Sequence, residues 1–153
     1  MKEISTEIVI QGSSVDVWNV LTDFRSYPRW NPFIKEIRGD LIVGSKLELK
    51  IVTPKKKIRT YNPVVTVVTP NSELRWYGRA FMPGILDGER IFKINHNGSQ
   101  SVRFEHKEIF SGLGALIGSR FLVKDVFESE NNMNTALKLE VESKNKTRTK
   151  VVK

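Results

Sequence analysis

The chain has 153 residues, which is enough for one domain with its own hydrophobic core, and it contains no cysteine. The lack of cysteine excludes disulfides, thiolate metal sites and thiol catalysis. Nine basic residues in segments 55–59 and 144–153 account for the net charge of +8, because the other 16 basic residues nearly balance the 17 acidic ones. No aromatic residue interrupts either segment, so binding of nucleic acid by base stacking is not expected.

The first 28 residues predict one strand followed by two helices. Residues 3–11 alternate around isoleucines, which is typical of a strand. Ser13 then predicts a helix start, with Asp16 three residues later as an approximate capping box. A second short helix is predicted from Phe24 to Tyr27, ending near Pro28.

The segment from Phe33 to about residue 110 predicts strands separated by turns. A strand is expected from Ile58 to Val68, kinked or bulged at Pro63, and Asn97-Gly98 predicts a hairpin turn. From Leu113 to about Val141 the apolar period becomes helical. The sequence therefore predicts an α+β fold in which an antiparallel sheet of six to seven strands wraps around a long C-terminal helix.

The strand from Val102 to Phe110 carries polar residues on its apolar face. Side chains alternate across a strand, so His106 and Glu108 share a face with Phe104. A three-residue loop at Asn97-Gly98 would pair Phe92 with Phe104 and place Arg90 directly across from His106, with Glu108 on the diagonal. An inward polar group costs free energy unless it has a partner, so this pattern indicates a pocket.

The last predicted helix has two polar residues within its apolar stripe. Glu130 and Asn134 lie among Phe127, Met133 and Leu137. Glu130 either contacts a ligand together with Asn134, pairs with Arg90 across the pocket, or extends to the edge of the pocket.

Several short motifs in one order resemble the SRPBCC, or START-like, superfamily. They are Trp30-Asn31-Pro32-Phe33-Ile34 with Gly39 and Gly44, Leu74-Arg75-Trp76 with Gly84, Asp87 and Gly88, the strand Phe104–Leu113, and Met133-Asn134-Thr135-Ala136-Leu137-Lys138. The resemblance covers residues 3 to about 142. It is nearest to bacterial members described as polyketide cyclase/dehydrase or lipid transport.

This resemblance implies a helix-grip fold whose curved sheet and long helix enclose a deep hydrophobic cavity. The chain departs from the resemblance at two positions. Arg90 stands where many relatives have histidine, and Glu130 stands where a bulky apolar residue is usual. Both place extra charge near the expected cavity.

The leading hypothesis is binding of a small hydrophobic or amphipathic molecule without catalysis. Ten residues are expected to contact it: Trp76, Arg90, Phe92, Phe104, His106, Glu108, Phe127, Glu130, Met133 and Asn134. The aromatic members could equally form plain core, and the Arg90–Glu108 pair could be structural. The alternative is a cyclase- or dehydratase-like enzyme with His106 and Glu108 as acid and base.

The remaining expectations concern organisation and partners. We expect one domain over residues 1–142 and a basic, flexible tail over 143–153. No signal peptide or membrane-spanning run is visible, which predicts a cytoplasmic protein. Neither a metal nor another cofactor is expected, and the protein should be a monomer or a weak homodimer. A protein-binding module similar to co-chaperone members is a third possibility.

Overall fold

The fold is built from eight strands and a long C-terminal helix in the part of the chain that the computed structural model describes, residues 1–53, 55–79, 87–112 and 120–152. The strands are β1 (Lys2–Gln11), β2 (Ile34–Arg38), β3 (Glu48–Val52), β4 (Ile58–Tyr61), β5 (Val64–Thr69), β6 (Glu73–Arg79), β7 (Asp87–His96) and β8 (Ser101–Ser111). The helices are α1 (Ser14–Thr22), α2 (Tyr27–Trp30) and α3 (Arg120–Val152).

The strands form two antiparallel sheets. The larger has the order β1-β8-β7-β6-β5, and the smaller has the order β2-β3-β4. An isolated bridge between Lys46 and Val64 connects them. The inner faces of the sheets and α3 bury the apolar core, which confirms the predicted α+β, helix-grip architecture.

The predicted single strand from Ile58 to Val68 is wrong, because the chain forms two strands there. β4 ends at Tyr61 and pairs with β3, whereas β5 begins at Val64 and pairs with β6 in the other sheet. Pro63 lies between them and has no N–H for a strand ladder, although its carbonyl accepts a bond of 2.8 Å from the Leu47 N–H. This division raises the strand count from the expected six or seven to eight within the described residues.

The predicted register of the β7–β8 hairpin is also wrong, by two residues. Phe92 pairs with His106, and Arg90 pairs with Glu108. The Asn97 N–H donates to the Ser101 carbonyl at 3.1 Å, so the turn is centred one residue later than expected. A slip of two residues changes the partners but keeps each side chain on its face, so the polar residues still point inward.

The ends of two helices differ from the sequence-based expectation. A 3-10 turn covers Phe24–Ser26, and α2 then runs on to Trp30 because Pro28 lies in its first turn, where its missing N–H costs nothing. Helix α3 continues to Val152, so residues 143–152 of the segment predicted as a flexible tail are helical. Arg148 supports this extension with a 3.2 Å contact to Asp16 of α1. The predicted helix start at Leu113 lies outside the described residues.

Helix α3 has 33 residues, and its sequence is too polar to cross a lipid bilayer. The other two helices in the described ranges, α1 with nine residues and α2 with four, are too short to cross it.

The predicted capping box at the start of α1 is confirmed. The Asp16 N–H donates to Ser13 Oγ at 3.1 Å, and the Ser13 N–H donates to Asp16 Oδ2 at 3.0 Å. Two N–H groups that the helix leaves unpaired are therefore satisfied at the site where β1 turns into α1.

Replacing Ser13 with alanine should lower the free energy of unfolding by about 1 kcal/mol, because the Asp16 N–H loses its acceptor. Ser13→Thr keeps a hydroxyl acceptor and is the matched control. Urea denaturation of the two variants and the wild type measures the difference. Equal losses in the two variants would show that the hydroxyl is not what stabilises this helix start.

Candidate functional site

The candidate site lies on the inner face of the larger sheet, where two neighbouring cross-strand rows carry polar side chains. The pairings of β1, β8, β7 and β6 define a first row of Thr6, His106, Phe92 and Leu74, and a second row of Ile4, Glu108, Arg90 and Trp76. Helix α3 adds Glu130 and Asn134 from the opposite side. We call Thr6, Arg90, His106, Glu108, Glu130 and Asn134 the polar cluster; all six are buried.

Arg90 and Glu108 form an ion pair within the second row. Arg90 Nε lies 2.6 Å from Glu108 Oε2, and the guanidinium carbon lies 4.8 Å from the centre of the Phe33 ring. Burial raises the pKa of Glu108, and the positive charge of Arg90 opposes that increase. Arg90 Nη1 is buried without a hydrogen-bond partner among the described residues, so one donor of this cation is available inside the fold.

A chain of hydrogen bonds connects β1, α3 and β8. Asn134 Nδ2 donates to Thr6 Oγ1 at 2.9 Å, and Asn134 Oδ1 lies 3.1 Å from His106 Nδ1. Because Oδ1 can only accept, this arrangement assigns the hydrogen to His106 Nδ1 and leaves a lone pair on Nε2. Burial and the positive charge of Arg90 hold the pKa of His106 well below its usual value, so the imidazole is neutral at pH 7.

Glu130 faces this imidazole from helix α3. Glu130 Oε1 lies 3.9 Å from His106 Nε2, and Glu130 Oε2 lies 3.2 Å from the Thr6 hydroxyl. Burial raises the pKa of Glu130 to about 8, although Arg90 opposes the increase. A neutral base and a protonated carboxyl group therefore face each other near pH 7. Neither Nε2 nor Oε1 has a hydrogen-bond partner among the described residues.

Aromatic and apolar side chains surround the polar cluster. The ring centres of Trp76 and Phe92 are 5.1 Å apart, those of Phe92 and His106 4.6 Å, and those of Phe92 and Phe104 6.0 Å. Met133 of α3 is fully buried. Phe127, by contrast, is 49% exposed one helical turn before Glu130, so its place in a cavity wall stays a prediction.

The structure thus brings together nine of the ten predicted site residues and adds two that the sequence analysis missed. Thr6 lies directly across from His106, and the alternation of β1 between Ile4 and Ile8 was the signal that could have identified it. Tyr61 of the smaller sheet reaches over the larger one, with its hydroxyl 3.5 Å from the Gly88 carbonyl.

Two glycines on neighbouring strands make room at this end of the site. A Cβ atom at Gly78 would lie 2.5 Å from the Tyr61 hydroxyl, and one at Gly88 would lie 2.9 Å from Glu108 Oε1. Only glycine lets the tyrosine and the carboxylate lie this close to the sheet. Burial and the nearby charge of Glu108 raise the pKa of Tyr61, so its phenol is neutral and able to donate.

Two surface hollows lie away from the polar cluster. One of about 180 Å³ lies between α1 and α3, beside Asp16, Val141 and Arg148. The other, of about 320 Å³, follows the last turns of α3. The deep cavity between sheet and helix that the resemblance implies stays a prediction.

A family model described as "Polyketide cyclase / dehydrase and lipid transport" matches residues 1–136. No curated protein sequence matches the chain. The chain is similar in structure to a START superfamily protein from Mycobacterium smegmatis, with a TM-score of 0.74 and 18% identity over 92% of this chain and 97% of that one. It is also similar to Ara h 8.0201, with a TM-score of 0.72 and 15% identity over 93% and 98% of the two chains.

A third similar structure is a point mutant of norcoclaurine synthase from Thalictrum flavum in complex with a transition-state analogue. Its TM-score is 0.68 and its identity 14%, over 94% of this chain and 96% of that one. At such low identities the structural likeness shows a common fold. Together with the family match, it confirms the START-like resemblance found in the sequence.

Glu130→Gln should change how stability depends on pH. The pKa of Glu130 is raised from 4.5 to about 8 in the fold. Below pH 4.5 its carboxyl group is protonated in the folded and the unfolded chain, so its titration does not lower the free energy of unfolding there. Between these values only the unfolded chain ionises, so wild-type stability falls as pH rises and the penalty is constant above about 8. The variant has no carboxyl group at this position, so its free energy of unfolding should exceed that of the wild type by an amount that grows across this pH window to the order of a few kcal/mol.

Denaturation at intervals from pH 4 to pH 9 measures this difference. Glu128→Gln, at an exposed position of the same helix, is the control and should reproduce the wild-type profile. A constant offset between Glu130→Gln and the wild type would contradict the raised pKa of Glu130.

Proposed function

The chain belongs to the polyketide cyclase/dehydrase and lipid-transport family, and from that premise we propose that it binds a small amphipathic molecule between sheet and C-terminal helix. One observation carries the proposal: buried polar atoms of Arg90, His106 and Glu130 have no hydrogen-bond partner among the described residues. Leaving such an atom unpaired in an apolar interior costs about 1–3 kcal/mol each. A ligand with its own polar group would offset that cost on binding.

The surroundings of these atoms define the rest of the ligand. Trp76, Phe92 and Phe104 are fully buried beside the polar cluster, with the Trp76 and Phe92 ring centres 5.1 Å apart, and make the surroundings of the cluster apolar. Contact with such rings contributes about 25 cal/mol per Å² of apolar surface removed from water. The ligand is therefore an apolar molecule with one polar end, and the polar end lies toward Arg90 and His106.

Native mass spectrometry of gently purified protein, followed by denaturing extraction, tests for a bound molecule directly. A discrete apolar compound with a polar end supports the proposal. A protein of clean apo mass that also fails to bind 1-anilinonaphthalene-8-sulfonate saturably would contradict it.

Arg90→Gln combined with Glu108→Gln should weaken the binding of 1-anilinonaphthalene-8-sulfonate about tenfold, because the probe's sulfonate loses a charged donor. The two changes are made together so that no buried charge is left unpaired. Arg103→Gln, on the outer face of β8, is the matched control and should bind the probe as the wild type does. Fluorescence titration gives the affinities, and thermal unfolding verifies that the variants fold. Equal affinity in all three proteins would show that Arg90 does not bind the sulfonate of the probe.

A second candidate function is favoured by the pairing of His106 with an acid. His106 Nε2 carries a lone pair 3.9 Å from Glu130 Oε1, and Glu108 lies on the same face of β8 as the imidazole. A neutral base beside a protonated carboxyl group is what an aldol cyclisation followed by dehydration requires. The base removes a proton next to a carbonyl, and the acid protonates the oxygen that leaves as water.

Incubation with 1-phenylhexane-1,3,5-trione tests this activity, since ring closure and loss of one water give an aromatic diol that absorbs strongly. An enzyme should lose about 100-fold in turnover on His106→Gln while its affinity for the trione changes little. Glutamine keeps a hydrogen bond to Asn134 but has no basic nitrogen. If the wild type binds the trione without turnover, the result would contradict the enzymatic function and support binding only.

A further inference from the structure

His106 and Glu130 face each other in the interior without a direct hydrogen bond, and we call the space between His106 Nε2 and Glu130 Oε1 the gap. The imidazole Nε2 of β8 and the carboxyl Oε1 of α3 are both fully buried and lie 3.9 Å apart. That distance is too long for a direct hydrogen bond. It does allow one further polar atom to lie within hydrogen-bond distance of both.

Both sides of the gap are held by other hydrogen bonds. Asn134 fixes the imidazole through Nδ1 at 3.1 Å, and Thr6 lies 3.2 Å from the second carboxyl oxygen of Glu130. Phe92 packs against the imidazole, with the ring centres 4.6 Å apart. The two unpaired atoms are therefore preorganised, and a bound group would not need to order them.

The chemistry of the two atoms selects the group that fits between them. His106 Nε2 can only accept a hydrogen, because Nδ1 carries the one hydrogen of the neutral ring. The Glu130 carboxyl can donate one, since burial raises its pKa to about 8. The matching group must donate to nitrogen and accept from oxygen at a single atom, which is what a hydroxyl does.

Other common polar groups satisfy only one of the two atoms. A ketone, ether or carboxylate oxygen accepts from Glu130 but has no hydrogen for His106. An ammonium group donates to His106 but has no lone pair for the Glu130 hydrogen. In each case one buried atom stays unpaired and its desolvation cost remains.

We propose that His106 Nε2 and Glu130 Oε1 together bind a hydroxyl group of the ligand, so that the natural ligand is an apolar phenol or alcohol. This assignment rests on the proposed binding function and narrows it to one ligand class. His106 accepts the hydroxyl hydrogen, and Glu130 donates to the hydroxyl oxygen. Phenols and aliphatic alcohols share this chemistry, and the experiment separates them.

Probes that share one apolar body and differ in hydrogen-bonding capacity test the assignment. Calorimetric titration at pH 6 compares 2-naphthol with 2-methoxynaphthalene, which keeps the oxygen but has no hydrogen to donate, and with naphthalene. The full chain should bind 2-naphthol about tenfold more tightly than naphthalene, as expected for two buried hydrogen bonds after desolvation of the hydroxyl, and severalfold more tightly than 2-methoxynaphthalene, which lacks only the bond to His106. The same comparison of 1-octanol with methyl heptyl ether gives the aliphatic arm.

Two substitutions of Glu130 separate a hydroxyl site from general polarity. Glu130→Gln keeps an N–H donor toward the hydroxyl oxygen and should keep the preference for 2-naphthol. Glu130→Leu has no donor for the probe oxygen, so its preference for 2-naphthol over naphthalene should fall severalfold, while the hydrogen bond from 2-naphthol to His106 remains. Thermal unfolding of both variants verifies the fold, which leucine should not weaken because it removes an unpaired buried polar atom.

Each outcome decides between the proposals. Equal affinities of the wild type for 2-naphthol and 2-methoxynaphthalene, or an unchanged preference of Glu130→Leu for 2-naphthol over naphthalene, would overturn the hydroxyl assignment and leave the binding function intact. Failure of every probe to bind would overturn both. A hydroxyl preference in the aromatic pair alone would identify a phenol, and one in the aliphatic pair alone would identify an alcohol.

Discussion

The hydrogen-bond chain from Thr6 through Asn134 to His106 is the constraint on which the interior depends. It connects the first strand, the last helix and the strand before that helix, segments separated by more than a hundred residues at its longest step. Each group in the chain is buried, so a rotated or shifted helix would leave several polar atoms without partners. The chain therefore fixes how α3 is seated on the sheet. That seating in turn brings Glu130 opposite His106.

The same arrangement determines which groups of the polar cluster are charged. Arg90 and Glu108 form an ion pair, and removal from water opposes a second anion at Glu130. His106 is kept neutral by burial and by the positive charge of Arg90. The interior thus holds one cation and one anion close together and keeps the other two titratable groups uncharged. This balance limits the electrostatic cost of burying four such groups while leaving donors and acceptors that a ligand can use.

The sequence predicted that the site residues point into the interior, but it did not predict which residues pair with one another there. Alternation along β8 placed His106 and Glu108 on the apolar face, and helical spacing placed Glu130 and Asn134 toward the same interior. The hairpin pairing was wrong by two residues because period-two patterns match equally well after such a slip, and only the turn geometry decides between them. Thr6 was missed because a single threonine between two isoleucines resembles an ordinary strand position until its cross-strand neighbour is known. The helical continuation to Val152 is accompanied by tertiary contacts such as that of Arg148 with Asp16, which no local pattern reveals.

Glu130 connects the chemistry of this site to the choice of ligand. The resemblance to START-like proteins implies a bulky apolar residue at this position of the helix, and an apolar residue there would leave His106 Nε2 facing hydrocarbon. With glutamate, the helix contributes a donor 3.9 Å from the acceptor that the sheet contributes, and the two groups are held by second contacts to Thr6 and Asn134. If the buried carboxyl group only filled space, the fold would be less stable than with leucine at this position, because the unpaired oxygen carries a desolvation cost. The proposed hydroxyl ligand gives this position a physical role, since a hydroxyl bound to both atoms would remove that cost.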